Sequence, residues 1–311
     1  MAGARGGSQG TGRMWKGKEN IMEEKQNKNI FFTAWQCIYP VGIHFLLSMM
    51  LGFAYIFVGV FVLCFQEGMK GGTASALVVQ EIVTKVTDSY LANGCYVILL
   101  QSLICIPLFW FLIKGRRKKE ANPFGQKKLQ GKDCAVLVVV AVCMCISLNM
   151  IISATGLDKL FPGYQDVANT IYSGGIMIEL IAVGVVVPIC EELMFRGLIF
   201  EHLNYRVSLP LAVAISAVGF GLYHGNFVQF VYATILGSIM ALFCRKYESL
   251  LAPVTLHISA NVTSVLVTET ELLSKVLNTA IIQIVLIILT TLAWMGISWL
   301  LLKKNFRKKM G

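Results

Sequence analysis

Residues 181–196 read IAVGVVVPICEELMFR, an apolar run that ends in two adjacent glutamates. An ionisable group at bilayer depth costs roughly 2.5–3.5 kcal/mol on insertion scales, so acids in this position predict a functional site. On a helix, Arg196 follows Glu192 by four residues, which is the favourable acid-first order for an ion pair. Glu191 would then project about 100° away and remain unpaired on its own helix, as a general base requires. The alternative is an interhelical ion-pair anchor.

Two further residues of this stretch affect the local chemistry. Pro188 lies one turn before the acids and should deprive the Gly184 carbonyl of its helical partner, opening the helix beside them. Cys190 precedes Glu191 and offers a thiol nucleophile, but an apolar site leaves little thiolate, so we do not favour it.

The rest of the chain is apolar enough to require a bilayer. Of its 311 residues, 56% are hydrophobic and 14% charged, and the mean hydropathy is +0.68. About eight stretches approach or exceed the ~20 residues that cross ~30 Å of hydrocarbon. They lie near residues 40–65, 94–113, 134–154, 175–200, 207–223, 227–244, 250–268 and 278–302. We therefore predict an all-α, polytopic transmembrane helical bundle.

The net charge of +10 is explained by topology rather than by nucleic-acid binding. With eight spans and a cytoplasmic N-terminus, the cytoplasmic segments hold 22 lysines and arginines, the outer segments hold four, and Arg196 lies within a span. This asymmetry follows the positive-inside rule, so we expect both termini in the cytoplasm and no nucleic-acid partner. The basic cluster at residues 116–119 is expected to contact anionic lipid headgroups.

The chain divides into three parts. We expect a disordered basic N-terminal segment over residues 1–36, N-terminal helices over 37–170 (spans one to three) and C-terminal helices over 171–311, with a functional core near 174–268. The start of the chain does not resemble a signal peptide. Nine cysteines show neither a disulfide framework nor zinc-ligand spacing.

Two more polar patterns enter later spans. His224 ends the fifth span in FGLYHGN, four residues after Phe220 and on the same helical face. His257 and Asn261 share a face of the seventh span, within VTLHISANVTS, and favour a cavity wall over a lipid-facing surface. The alternatives are an interhelical hydrogen-bond donor for His224 and polar contacts between helices for the other pair. We assign no role to His44 or His202.

The ordered set E-E-x-x-x-R, F-x-x-x-H and H-x-x-x-N, on three successive spans, resembles the CPBP family of intramembrane proteases. This family comprises CAAX prenyl endopeptidases and bacteriocin-processing or bacteriocin-immunity proteins. The matching positions are Glu191 to Arg196, Phe220 to His224 and His257 to Asn261, and the similar region covers about residues 174–268.

The resemblance implies hydrolysis of a peptide bond within the membrane, by one of two mechanisms. In a glutamic-type peptidase, Glu191 and His224 activate a water, His257 and Asn261 donate to the oxyanion, and Glu192 and Arg196 orient these groups. In a metallo-type peptidase, Glu191, His224 and His257 would hold zinc. We favour the metal-free version, because the chain lacks H-E-x-x-H and Asn261 suits an oxyanion donor better than a zinc ligand.

Two other functions remain open: a non-catalytic membrane partner, such as a bacteriocin-immunity protein, and a transporter. Inverted repeats and paired broken helices would indicate a transporter, and we find neither. The lysine-rich loops and compact form lead us to expect a bacterial plasma-membrane protein. Its partners would be the lipid bilayer and a peptide or small membrane-protein substrate.

Overall fold

The computed structural model describes residues 30–71, 75–120, 128–161, 163–270 and 279–307, and these residues form helices and no strand. The helices, in chain order, are α1 (Ile30–Met69), α2 (Ala76–Ala92), α3 (Gly94–Glu120), α4 (Gly131–Thr155), α5 (Leu157–Leu160), α6 (Gly163–Ile171), α7 (Ile176–Asn204), α8 (Leu209–Tyr223), α9 (Phe227–Tyr247), α10 (Leu251–Thr270) and α11 (Ala280–Arg307).

The transmembrane bundle is confirmed. Among the described residues, α1, α3, α4, α9, α10 and α11 are each long and apolar enough to cross a bilayer. Helices α6 and α7 pass the same test together, with a bend of 100° between them, and α8 is a shorter apolar helix. Each of the eight predicted stretches therefore coincides with a helix. The chain is an integral membrane protein.

The N-terminal boundary differs from the expectation. Helix α1 begins at Ile30, so residues 30–36, which we assigned to the N-terminal segment, are already helical. The apolar run IFFTAW at its start explains this early beginning. Residues 1–29 lie outside the described part of the chain.

Helix α7, which carries the two adjacent glutamates, lies at the centre of the bundle and contacts α1, α3, α8, α9 and α10. It is not a regular α-helix, because π-helical turns at Ala182–Val186 and Leu193–Phe200 interrupt it. A π-turn is rare and widens the helix locally, often at a functional site. Here the two π-turns lie on either side of the segment Val187–Glu192.

Helix α8 is short, and its length determines the depth of His224. Its 15 residues span roughly 22 Å, less than the ~30 Å of a hydrocarbon core. A helix that starts at one membrane surface must therefore end below the other. The chain turns there through Gly225, whose φ of +74° is readily accessible to glycine, and Asn226 caps α9 by accepting from the Gln229 N–H at 2.9 Å.

The end of the bundle where α3 and α7 terminate is held by arginines. The Arg117 guanidinium donates to both carboxylate oxygens of Glu201, at 2.9 and 2.8 Å, and Arg116 donates to the carbonyls of Gly197 and Leu198. We expected this basic cluster to contact lipid headgroups. Arg116 and Arg117 turn inward onto α7, whereas Lys118 is exposed, so the lipid contact of this cluster stays a prediction.

Helices α8 and α9 pack closely through Gly221. A Cβ at this position would lie 2.7 Å from the Phe230 carbonyl oxygen and closer still to the Thr234 hydroxyl, whereas a Cβ at Gly219 would meet only Phe195, at 3.9 Å. We expect Gly221→Ala to destabilise the protein by about 1–3 kcal/mol through overpacking. Gly219→Ala is the matched control and should be near neutral. Thermal unfolding in detergent measures both, and equal Tm values for the two variants would contradict this packing.

Candidate active site

A buried carboxylate joins two of the sequence motifs. The Glu192 Oε1 atom accepts from the Arg196 guanidinium at 2.8 Å and from the His257 Nδ1–H at 2.8 Å. The side chains of Glu192 and Arg196 are completely buried, and that of His257 is nearly so. The ion pair expected from the i,i+4 spacing is present. Because a carboxylate only accepts, this bond also fixes the proton of His257 on Nδ1 and leaves Nε2 facing Glu191.

Arg196 connects α7 to α8 and α9. Its second terminal nitrogen donates to the Gly237 carbonyl at 2.9 Å, and its guanidinium lies over the Phe220 ring at 4.6 Å. A Cβ at Gly237 would lie 3.0 Å from the guanidinium, so glycine permits this approach. Sequence reasoning missed Gly237, since a glycine within an apolar span is a weak signal. The arginine charge is thus compensated by a carboxylate, a carbonyl and an aromatic face.

Glu191 differs from its neighbour. Its carboxylate lines an internal cavity and retains 7% exposure, and its Oε2 atom lies 3.7 Å from the His257 Nε2. This distance is too long for a direct hydrogen bond. The two adjacent acids therefore have different environments: Glu192 is held by two donors, and Glu191 faces the cavity.

His224 reaches the same cavity from the end of α8. Its Nδ1 lies 2.8 Å from the Phe220 carbonyl oxygen, which can only accept, so Nδ1 carries a proton and Nε2 has the lone pair in the neutral ring. The ring meets the Phe220 side chain edge to face at 4.8 Å, and Phe220 meets the His257 ring at 5.7 Å. Phe220 therefore separates and orients the two histidines.

Asn261 has a structural partner that the sequence did not reveal. In the first π-turn of α7 the Val187 N–H donates to the Ala182 carbonyl, five residues back. The next such bond would join residue 188 to Val183, but Pro188 has no N–H. The Asn261 side-chain amide supplies this donor, at 2.9 Å from the Val183 carbonyl oxygen. We expected Pro188 to affect the Gly184 carbonyl; the π-geometry moves the effect by one residue.

The cavity beside these residues has a volume of about 170 Å³. At ~30 Å³ per water, it has room for about five water molecules. Glu191, His224, His257 and Asn261 all line it. Residues of the short helix α6 also line it, and Gln229 and Tyr232 of α9 add polar groups. Sequence analysis missed these contributions, because α6 lies beside the site only as a result of the 100° bend between α6 and α7.

The predicted site residues are thus brought together. Glu191, His224, His257 and Asn261 line one cavity. Glu192 and Arg196 do not line it; Glu192 accepts hydrogen bonds from both Arg196 and His257. Within the described ranges, Glu191, His224 and His257 are not among the groups whose ligand atoms all lie within 4.8 Å of one another. We derive no step through a metal at this position.

Comparisons with known proteins agree with the ordered motifs. The family model described as "Type II CAAX prenyl endopeptidase Rce1-like" matches residues 173–263. A Bacillus subtilis (strain 168) protein named "Putative membrane peptidase YdiL" is 28% identical over 133 residues, which cover 43% of this chain and 53% of that protein. The match thus spans about half the length of the curated relative. No solved structure matches the chain. The resemblance to the CPBP family is confirmed.

The bond from Asn261 to Val183 yields a test of the π-turn. Asn261→Ala leaves a part-buried carbonyl without this donor, so we expect a loss of about 1 kcal/mol in the free energy of unfolding. The matched control is Ser259→Ala on the same helix, because the Ser259 hydroxyl donates only locally, to the Thr255 carbonyl at 2.7 Å. Thermal unfolding in lipid nanodiscs compares the two. A Tm loss for Asn261→Ala no greater than that of the control would show that the π-turn does not need this donor.

Proposed function

We propose, from the Rce1-like CAAX-protease domain that residues 173–263 carry, that this chain is an intramembrane endopeptidase of the glutamic type. The observation that carries the proposal is the pairing of a cavity-facing Glu191 with two histidines in an enclosed site. Water activation needs a base within reach of a water, and Glu191 lines a cavity large enough to hold one. The family match supports the reaction class, and the contacts support the assignment of roles below.

Glu191 and His224 act on the nucleophilic water. The Glu191 carboxylate accepts one proton of the water, and the lone pair on His224 Nε2 accepts a hydrogen bond from the other. The water oxygen attacks the carbonyl carbon of the scissile bond, forming a C–O bond as its proton moves to Glu191. The carbonyl π-electrons move to oxygen and give a tetrahedral oxyanion.

Asn261 and His257 stabilise this oxyanion. One N–H of the Asn261 side chain is used by Val183, and the other is available to the cavity. His257 contributes through Nε2 when its ring is protonated, a state that the adjacent carboxylates of Glu191 and Glu192 would compensate. Pre-positioned donors of this kind are each worth roughly 3–4 kcal/mol in acyl transfer. The C–N bond then breaks, and the amine leaves with the proton held by Glu191.

Glu192 and Arg196 are positioning residues in this scheme. Glu192 fixes the His257 ring through Nδ1, and Arg196 neutralises Glu192. Because both are completely buried, neither contacts the cavity or a substrate directly. Their role is to keep His257 in one orientation while its Nε2 stabilises the oxyanion.

The substrate that we propose is a peptide or a small membrane protein in the lipid bilayer. Most cavity-lining side chains are apolar, so the site accepts a segment that the bilayer already solvates. We place the protein in a bacterial plasma membrane, with its N- and C-termini in the cytoplasm. The excess of lysine and arginine in the predicted cytoplasmic segments supports this orientation.

Mass spectrometry of a peptide pool, incubated with the purified protein in lipid, tests the activity. We expect wild type to generate defined cleavage products, and Glu191→Gln to reduce the rate by about 10²–10⁴-fold, the usual contribution of a general base. Glu179→Gln is the control, because Glu179 is another buried acid of α7 and does not line the cavity. Equal cleavage by wild type and Glu191→Gln would refute the mechanism. Absence of products from the folded wild type would instead support a non-catalytic membrane partner.

A further inference from the structure

A second cluster of polar side chains lies on a different side of α7 from the cavity. His44 of α1, Cys105 of α3 and Cys190 of α7 bring three ligand atoms to within 4.8 Å of one another. Cys105 and Cys190 are completely buried. None of the three lines the candidate active site. Two thiols and an imidazole, each from a different helix, therefore converge in the interior of the bundle.

His44 has polar partners on α3 and α8 beside the thiols. The Gln101 side-chain amide lies 3.1 Å from the ring nitrogens of His44 and donates to its backbone carbonyl at 2.9 Å. The Tyr223 hydroxyl lies 3.0 Å from the ring Nδ1 and 3.3 Å from the ring Nε2. Polar partners around a ligand side chain are a usual feature of metal sites, since they fix the ring and the thiols in place.

We propose that His44, Cys105 and Cys190 bind a zinc ion. Thiolate and imidazole are the ligands that zinc prefers, and three protein ligands leave a fourth position for water or the nearby Tyr223 hydroxyl. With Zn–S bonds of about 2.3 Å and Zn–N bonds of about 2.0 Å, neighbouring ligand atoms of a tetrahedral site lie about 3.4–3.8 Å apart. The three ligand atoms, all within 4.8 Å, need only small side-chain movements to reach this geometry.

The charge balance of the site favours Zn²⁺ over Cu⁺. On binding, each thiol releases one proton, so two protons leave for each ion bound. Two thiolates, one neutral imidazole and Zn²⁺ then sum to zero, which avoids a net charge in the apolar interior. The same ligands around Cu⁺ would leave a charge of −1. A neutral complex is the one that a buried site within a membrane tolerates best.

The ion would stabilise the helices that carry the candidate active site. Cys190 immediately precedes Glu191, and Tyr223, which contacts His44, immediately precedes His224. Zinc at this position would join α1, α3 and α7 just behind both residues. This inference does not rest on the proposed function, because a structural ion can be present whether or not the chain cleaves peptides.

Cobalt substitution tests the site with a readout that is independent of proteolysis. Thiolate ligands give Co²⁺ an intense near-ultraviolet charge-transfer band, which oxygen and nitrogen ligands do not. We expect the purified full chain in detergent to bind one Co²⁺ with this band, and Zn²⁺ to displace it. We expect Cys105→Ser and His44→Ala each to abolish the stoichiometric binding, and Cys64→Ser, a half-buried cysteine of α1, to retain it.

Two results would overturn the proposal. One is a wild type that binds no Co²⁺ or binds it without the thiolate band. The other is a Cys105→Ser variant that keeps the band and the stoichiometry. Helix α1 is peripheral, so His44→Ala is expected to fold. This variant tests the site if Cys105→Ser fails to fold. Metal bound without the band would indicate binding at Glu191, His224 and His257 instead. The experiment therefore separates a failure of the His44, Cys105 and Cys190 site from a failure of the metal-free mechanism.

Discussion

The carboxylate of Glu192 is the constraint on which the site depends. It lies where water cannot solvate it, so its charge must be balanced by the protein. Arg196 and His257 provide the two donors, at 2.8 Å each, and they come from α7 itself and from α10. Through Arg196 the same interaction reaches the Gly237 carbonyl of α9 and the Phe220 ring of α8. Four helices are thus held in register around one buried ion pair.

The position of Glu191 follows from this arrangement. Adjacent residues of a helix point about 100° apart, so fixing Glu192 against α10 turns Glu191 toward the cavity. Pro188 and the π-turn before it widen the helix there, and Asn261 replaces the donor that proline lacks. In the proposed mechanism, stability and reactivity are therefore divided between two neighbouring acids of the same type.

Much of this could be read from the sequence, because it depends on local spacing. The eight apolar stretches, the i,i+4 pair of Glu192 and Arg196, and the shared face of His257 and Asn261 all follow from helical periodicity. The depth of His224 stays a prediction, which the 15-residue length of α8 supports. The family similarity supplied the reaction class.

The parts that escaped prediction depend on contacts between distant segments. Gly237 matters only because an arginine from α7 approaches it, and helix α6 covers the cavity only because of a bend at residues 172–175. His44 had no visible partner in its own span, yet α3 and α7 bring it two thiols. Helical periodicity contains no information on which helices become neighbours, so these features required the three-dimensional arrangement.

The most direct test of the division between the two acids is a comparison of the thermal stabilities of Glu191→Gln and Glu192→Gln in lipid. Glu192→Gln leaves the buried Arg196 without its counter-charge, so the account predicts a loss of about 3–5 kcal/mol and a clearly lower Tm. Glu191→Gln removes a charge that no donor holds, and its Tm should equal or exceed that of wild type. If Glu191→Gln were instead the more destabilised variant, Glu191 would be the structural acid and the assignment of roles would be wrong.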